Sequence, residues 1–163
     1  MLKHRKESEF FMDKAIKQFE IDTRDFGKQQ VSEQDIINFP KGLFAFEESK
    51  RFVLLSPLGD EASPMWLQSA DGISPCFIVF KPKELLENYQ PEPLEEDLSI
   101  ISLEKGEEIE ILSLAVIPED YKNTTINIKS PIIINRNKKI AVQAILPQDY
   151  EIKLPIYQMN GEV

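Results

Sequence analysis

Cysteine and histidine are almost absent: Cys76 and His4 are the only ones in the chain. One cysteine excludes an internal disulfide and a thiolate metal cluster. Cys76 lies within Cys76-Phe77-Ile78-Val79-Phe80, where it reads as a small buried hydrophobe rather than a reactive thiol. One histidine in an N-terminal extension leaves no donor in the domain for a Ser-His-Asp triad, a Cys-His pair or a histidine metal site. The sequence has no Walker loop, no G-x-G-x-x-G and no calcium-loop spacing. Two carboxylates alone can hydrolyse a glycoside, but among 28 acidic residues some pair always falls close, so that signal carries nothing. The absences point away from an enzyme and from a bound cofactor or metal.

Long apolar runs are missing too. Nothing approaches the roughly 20 apolar residues of a membrane span. The basic start, Met1-Leu2-Lys3-His4-Arg5-Lys6-Glu7, leads into no stretch that would serve as a signal peptide. The expectation is a cytoplasmic protein that does not engage a membrane.

Positive charge is in deficit, with 19 Lys and Arg against 28 Asp and Glu and a net charge of −9. Twelve of the acids lie between Glu84 and Asp120, with Lys105 the one base among them. That stretch repels polyphosphate, because nucleic-acid affinity rests on cations displacing condensed counterions. Direct RNA or DNA binding is therefore disfavoured. The run reads either as a solvated face that maintains solubility or as a docking surface for a basic protein.

What remains is an ordinary globular composition, 42% hydrophobic over 163 residues, enough for one domain with its own core. Residues 1–18 read as an extension, with Phe10 and Phe11 in a charged stretch, and 158–163 as a tail. Between them, 19–157 shows short apolar runs separated by turn residues. Phe19 to Thr23 alternates, and Gly27 marks a turn. Phe52-Val53-Leu54-Leu55, Trp66-Leu67-Gln68-Ser69 and Cys76 to Phe80 precede Pro57, Asp71-Gly72 and Pro82. Lys83 to Asn88 reads as a turn or two of helix with Pro82 at its start. Leu94 to Leu103 reads as a second short helix. Ile109 to Ile117 reads as a central strand covered on both faces, and Thr124 to Ile128 as an alternating strand. Pro131 to Asn135 and Ile140 to Ile145 form a hairpin around Arg136-Asn137-Lys138-Lys139. Pro147 and Pro155 should end the β pattern. The fold class is mostly β, one compact domain with one or two short helices, a sandwich or barrel.

Several segments, in order, resemble the flagellar assembly factor family FliW. They are Asp35-Ile36-Ile37-Asn38-Phe39-Pro40-Lys41-Gly42-Leu43 with Phe46-Glu47, then Phe52 to Leu55 and Trp66 to Ser69. Leu114-Ala115-Val116-Ile117-Pro118 follows, with Thr125, Asn127, Pro131 to Asn135, Gln143, Leu146 and Tyr150. The resemblance implies a compact antiparallel β-barrel-like domain. It also implies a regulatory protein that binds flagellin and CsrA, a dimeric RNA-binding translational repressor, and acts by exchanging one for the other. Ala45 departs from the pattern: the family usually has glycine there, and if the turn needs positive φ an alanine is strained.

Three groups are candidates for partner contacts. Glu95, Glu96 and Asp97 follow the proline loop Gln90 to Pro93 and read as exposed. Phe44, Phe46 and Glu47 flank Gly42, an aromatic pair able to anchor an interface, although Phe46 equally suits the core. Gln68, Ser69, Asn123, Thr125 and Asn127 are polar positions in or beside family-like strands, suited to contacts or to structural hydrogen bonds in turns. Competing readings are a structural part of the flagellar export apparatus, or a carboxylate-based hydrolase or small-molecule-binding barrel.

Overall fold

The computed structural model describes residues 17–157. The expected tail, and the extension apart from Lys17 and Gln18, lie outside the described residues; Gln18 is already the first residue of a strand. Strands β1 (Gln18–Thr23) and β2 (Gly27–Ser32) pair as a separate antiparallel hairpin. There follow β3 (Ile37–Asn38), β4 (Arg51–Leu55), β5 (Met65–Ser69) and β6 (Cys76–Phe80). Two short helices come next, α1 (Pro82–Leu85) and α2 (Glu95–Ile100). The chain ends with β7 (Ile109–Val116), β8 (Thr125–Ile126), β9 (Ile132–Asn135), β10 (Ile140–Gln143) and β11 (Leu154–Pro155).

Strands β3 to β7 pair successively, β7 pairs with β9, β9 with β10, and β10 returns to β3. Seven strands thus close a barrel. Every junction is antiparallel except β10 to β3, which is parallel and rests on the single pair Ile140 and Asn38. No tight turn links these two strands, so nothing local sets their relative direction.

Inside the barrel, Phe39, Phe52, Met65, Leu67, Val79, Leu112, Ile132 and Ile134 are fully buried. Burying each such side chain contributes about 1.5–3 kcal/mol relative to leaving it in water. Ile133 faces outward from β9 but is buried with Ile101, Val142 and Ala144 beneath the end of α2. Covering both faces accounts for the unbroken Ile132-Ile133-Ile134 run. Ile21 and Val31 of the outer hairpin cover Val53.

Some expectations need correction. The strand β7 is covered on both faces only in part: Ile111, Leu112 and Ser113 are buried, while Val116 is 64% exposed. Its first half pairs with β9; its second half leaves that partner and pairs with β8, carrying its end off the barrel wall. Pro155 does not end the β pattern but lies in the two-residue edge strand β11, where a missing N–H is tolerated. Helix α2 is shorter than Leu94 to Leu103. Ser102 at φ 53 stops it, with Ser102 N–H donating to Ser99 O and Leu103 N–H to Leu98 O, a Schellman closure. Trp66 is half-buried near the start of β5: its Nε1–H donates to Asp25 Oδ2 at 2.8 Å and its ring meets Phe26 edge-on at 5.2 Å.

The segment after β3 is a tight turn. Gly42 has φ +64, and a Cβ there would lie 2.6 Å from Phe46 O and 2.7 Å from Glu47 Cα. Leu43 bridges Phe46, and Ala45 between them holds φ 68. Glu47 Oε1 accepts the Ala45 N–H at 3.3 Å. From β10, Gln143 Oε1 accepts the Phe44 N–H at 3.0 Å, while its Nε2 donates to Ser130 O at 3.3 Å. Gln143 thereby ties the turn to the barrel wall.

Left-handed backbone costs a non-glycine residue roughly 1–2 kcal/mol, and alanine saves roughly 0.4–1 kcal/mol in the unfolded chain. Ala45→Gly should therefore stabilise the fold by roughly 0.5–1 kcal/mol in urea unfolding. Gly42→Ala should destabilise it by roughly 2 kcal/mol or more, since backbone has to move. The Asp25 carboxyl is held below the usual carboxylate range by Arg24 first and then by Trp66. Its contribution is complete above that range and fades as pH falls through the depressed value. Emission from Trp66, the only tryptophan, should stay constant from pH 7 to about 4 and shift only below.

Candidate functional site

The tight turn, helix α2 and the end of β10 converge on one groove. It encloses about 260 Å³, lined by the apolar side chains of Phe44, Leu94 and Ile145 and by the charged Glu96, Asp97 and Lys41. Val142 and Gln143 line it from the barrel wall. Phe44 is 49% exposed, Leu94 47% and Ile145 57%. Three segments separated by about fifty residues each thus present large apolar side chains to water around one depression.

Its electrostatics follow from α2. Glu95, Glu96 and Asp97 occupy the first turn, where unpaired backbone N–H groups favour negative charge. Glu95 and Glu96 are exposed and Asp97 is half-buried. Burial pushes the Asp97 carboxyl up, the neighbouring Glu96 pushes the same way, and Lys41 opposes both. None of the three acids forms an ion pair among the described residues, whereas Glu104 and Glu107 pair with Lys138, and Glu110 with Arg136. The acidic run from Glu84 to Asp120 is therefore not one uniform field. Its α2 portion forms no ion pair among the described residues and has Lys41 as its nearby cation, and its later portion is partly neutralised by the β9–β10 loop.

Of the sequence candidates, Phe44, Glu96 and Asp97 meet in the groove, with Glu95 beside them. Phe46 turns elsewhere: it is 40% exposed and packs edge-on against Phe77 at 5.2 Å. Glu47 is exposed, but its carboxylate serves the turn through Ala45 N–H.

Gln68 and Ser69 offer no surface to a partner, both being buried. Gln68 Oε1 accepts Arg24 N–H at 3.0 Å, and its Nε2 donates to the Gly72 and Ile73 carbonyls, so it joins the outer hairpin to the β5–β6 loop. Ser69 Oγ accepts Asp71 N–H at 3.2 Å in the same loop. Asn127 is likewise a turn former, its Oδ1 accepting the Lys129 and Ser130 N–H groups at 3.1 and 2.9 Å. At these three positions the side-chain oxygen is taken up by backbone N–H groups, those of Arg24, of Asp71, and of Lys129 and Ser130.

Asn123 is exposed, and Thr125 lies beside Val116 across β7 and β8. They border a second apolar area formed by Val116, Ile117, Tyr121 and Tyr157, each 45% exposed or more, with the two tyrosine rings edge-on at 5.4 Å. Sequence reasoning missed Leu94, Ile145, Val116 and Ile117 because each lay in a run already assigned to a helix or a strand, and Tyr121 and Tyr157 because each lay outside any assigned element. A hint was present in Val116-Ile117-Pro118, where a proline follows the apolar pair directly.

Among the described residues no helix is long and apolar enough to cross a membrane.

The fold and sequence can be compared with known proteins. The family model described as FliW protein matches residues 20–156. The flagellar assembly factor FliW of Natranaerobius thermophilus is 40% identical over 139 residues, covering 83% of this chain and 91% of that protein. The protein of the same name from Caldicellulosiruptor saccharolyticus is 33% identical over 143 residues, covering 86% and 93%. The crystal structure of a flagellar assembly factor FliW superposes with a TM-score of 0.77 at 25% identity, covering 85% of this chain and 96% of that one. With the family model matching residues 20–156, from within β1 to just past β11, and with relatives this similar over most of their length, the chain belongs to the FliW family.

Proposed function

We propose that this chain is a cytoplasmic flagellar assembly factor that binds flagellin and CsrA in exchange and carries out no chemistry of its own. The observation behind the reading is the groove, which an exposed aromatic on a tight turn lines together with carboxylates of α2. A repressor that binds RNA has to display cations. Glu95, Glu96 and Asp97 supply the opposite charge, which steers encounter and sets register. Phe44 supplies the anchor. Held by Gly42, Ala45 and Gln143, it loses little freedom on docking, which favours a central aromatic contact. Asn123 and Thr125, beside the Tyr121–Tyr157 area, are proposed to extend the binding surface. Exchange requires reciprocity: whatever factor flagellin removes from CsrA affinity, CsrA removes from flagellin affinity.

The test is direct binding of the purified chain to purified CsrA and to purified flagellin. Glu95→Lys combined with Glu96→Lys should slow association with CsrA at least several-fold and flatten its dependence on salt. An unchanged on-rate and salt slope would reject this surface. Phe44→Ala should weaken binding to at least one partner by about 2 kcal/mol, close to thirtyfold, while Tm barely moves because half the ring already meets solvent. A large drop in Tm with intact binding would return Phe44 to the core. Failure of both partners to bind at low salt would remove the function itself.

A further inference from the structure

The apolar area at the far end of β7 is open because of the way the barrel ends there. The second half of β7 pairs with β8, and β8 in turn with β11. Residues 116–123, from the end of β7 to just before β8, are all exposed, and so is Tyr157 just past β11. Val116 and Ile117 are 64% and 46% open to solvent, and Tyr121 and Tyr157 are 57% and 45% open with their rings in contact.

The surface is held in one shape. The Asp120 carboxylate accepts the Lys122 N–H at 3.2 Å and opens a 3₁₀ turn over Tyr121–Asn123. The Thr124 hydroxyl donates to Tyr121 O, and the Ile156 N–H donates to Thr124 O at 3.2 Å. The turn that carries Tyr121 is thus tied to the residue that precedes Tyr157. A face fixed in this way loses little freedom when something docks on it.

Charge singles out the occupant. The segments that form the area carry Glu119, Asp120 and Lys122 between β7 and β8, and Glu151 and Lys153 ahead of β11. All five are exposed, and none forms an ion pair among the described residues. A basic partner would meet repulsion at the two lysines, and an acidic partner at the three carboxylates. A second copy turned about a twofold axis brings lysines of each chain towards carboxylates of the other. An aromatic centre inside a polar rim is the make-up of a protein interface.

We propose that Val116, Ile117, Tyr121 and Tyr157 form the centre of a symmetric dimer of this chain, with Lys122 of each copy beside Glu119 of the other. Two half-exposed tyrosine rings bury on the order of 200 Å² per copy. With the aliphatic pair and the rim the contact lies at the small end of specific interfaces, so dissociation falls on the order of tens of micromolar. Each copy carries a net charge of −9, but at physiological ionic strength the Debye length is about 8 Å, and only charges close to the interface count. Asn123 and Thr125 are covered in the dimer, so the part of the partner surface proposed there is open only in the monomer. That consequence rests on the reading above; the self-association does not.

The experiment is sedimentation equilibrium of the full chain at physiological salt, from about 1 μM to about 1 mM. The parent should pass from monomer to dimer across this range. Lys122→Glu and Glu119→Lys should each weaken the dimer at least tenfold, since each sets like charges opposite one another across the axis. Mixed in equal amounts, the two variants should form a heterodimer within about threefold of parental affinity, because both cross pairs are then opposite in sign again. Val116→Ser with Tyr121→Ser should abolish association while Tm barely moves. A parent that stays monomeric at the highest concentration overturns the proposal. So does a dimer insensitive to both charge variants, or a mixture that fails to regain what each variant lost. Self-association that appears only once residues 158–163 are removed overturns it as well, since the occupant is then the chain's own terminus. If the dimer forms as expected while flagellin and CsrA bind monomer and dimer alike, the self-association stands, and Asn123 and Thr125 leave the function proposed above.

Discussion

Closure of the barrel depends on the pairing of β7 with β9, and the other features follow from it. Ile109 to Leu112 lie opposite Ile132 to Asn135, in an antiparallel ladder that joins the meander β3 to β7 to the late hairpin β9–β10. Without it the interior around Phe52, Leu67, Leu112 and Ile132 would open along one side. Because β9 takes the first half of β7, the second half is free to diverge and carry β8 and β11 outward. Because β10 follows β9 into the wall, Gln143 is in place to hold Phe44. The ladder therefore positions both exposed apolar areas without contributing a side chain to either.

Much of this was legible in the sequence, and the exceptions have physical causes. Alternation and turn residues located nearly every strand, since one buried face imposes a period of two. The resemblance to the family added closure into a barrel, which no local pattern encodes. The parallel β3–β10 junction was not legible, because one residue pair between segments a hundred positions apart leaves no periodic signal. Ala45 is the instructive case: a departure from glycine raised the possibility of positive φ, and the backbone does adopt it. The strain is tolerated because Gly42, Glu47 and Gln143 determine the turn from three sides. Of the site, the acids and Phe44 could be named one by one, but not their convergence, nor Leu94 and Ile145. Buried polar residues such as Gln68 resemble surface contacts in sequence, since an amide is equally suited to either role.

Charge placement refines the picture that net charge gives. The chain is acidic as a whole, yet Lys138 and Arg136 on one loop draw Glu104, Glu107, Glu110 and Glu61 into ion pairs. Pairs that stay partly open to solvent, as these do, contribute little to stability. Their effect is on the outside field: they quiet the region after α2 and leave the helix itself as the concentrated negative feature beside an apolar recess. Contrast of that kind, rather than total charge, distinguishes one basic partner from another.

A sealed wall also limits how any companion can hold on. The barrel strands have their main-chain groups already paired, and the short β11 carries a proline on its rim. A visiting protein gains no long ladder of main-chain hydrogen bonds from the barrel wall and relies there on side-chain anchors. Complexes held that way are governed by how fast those anchors let go, and an aromatic ring leaving a shallow recess has little to unzip. If a partner seats there as proposed, its release frees a few side chains rather than unzipping a strand.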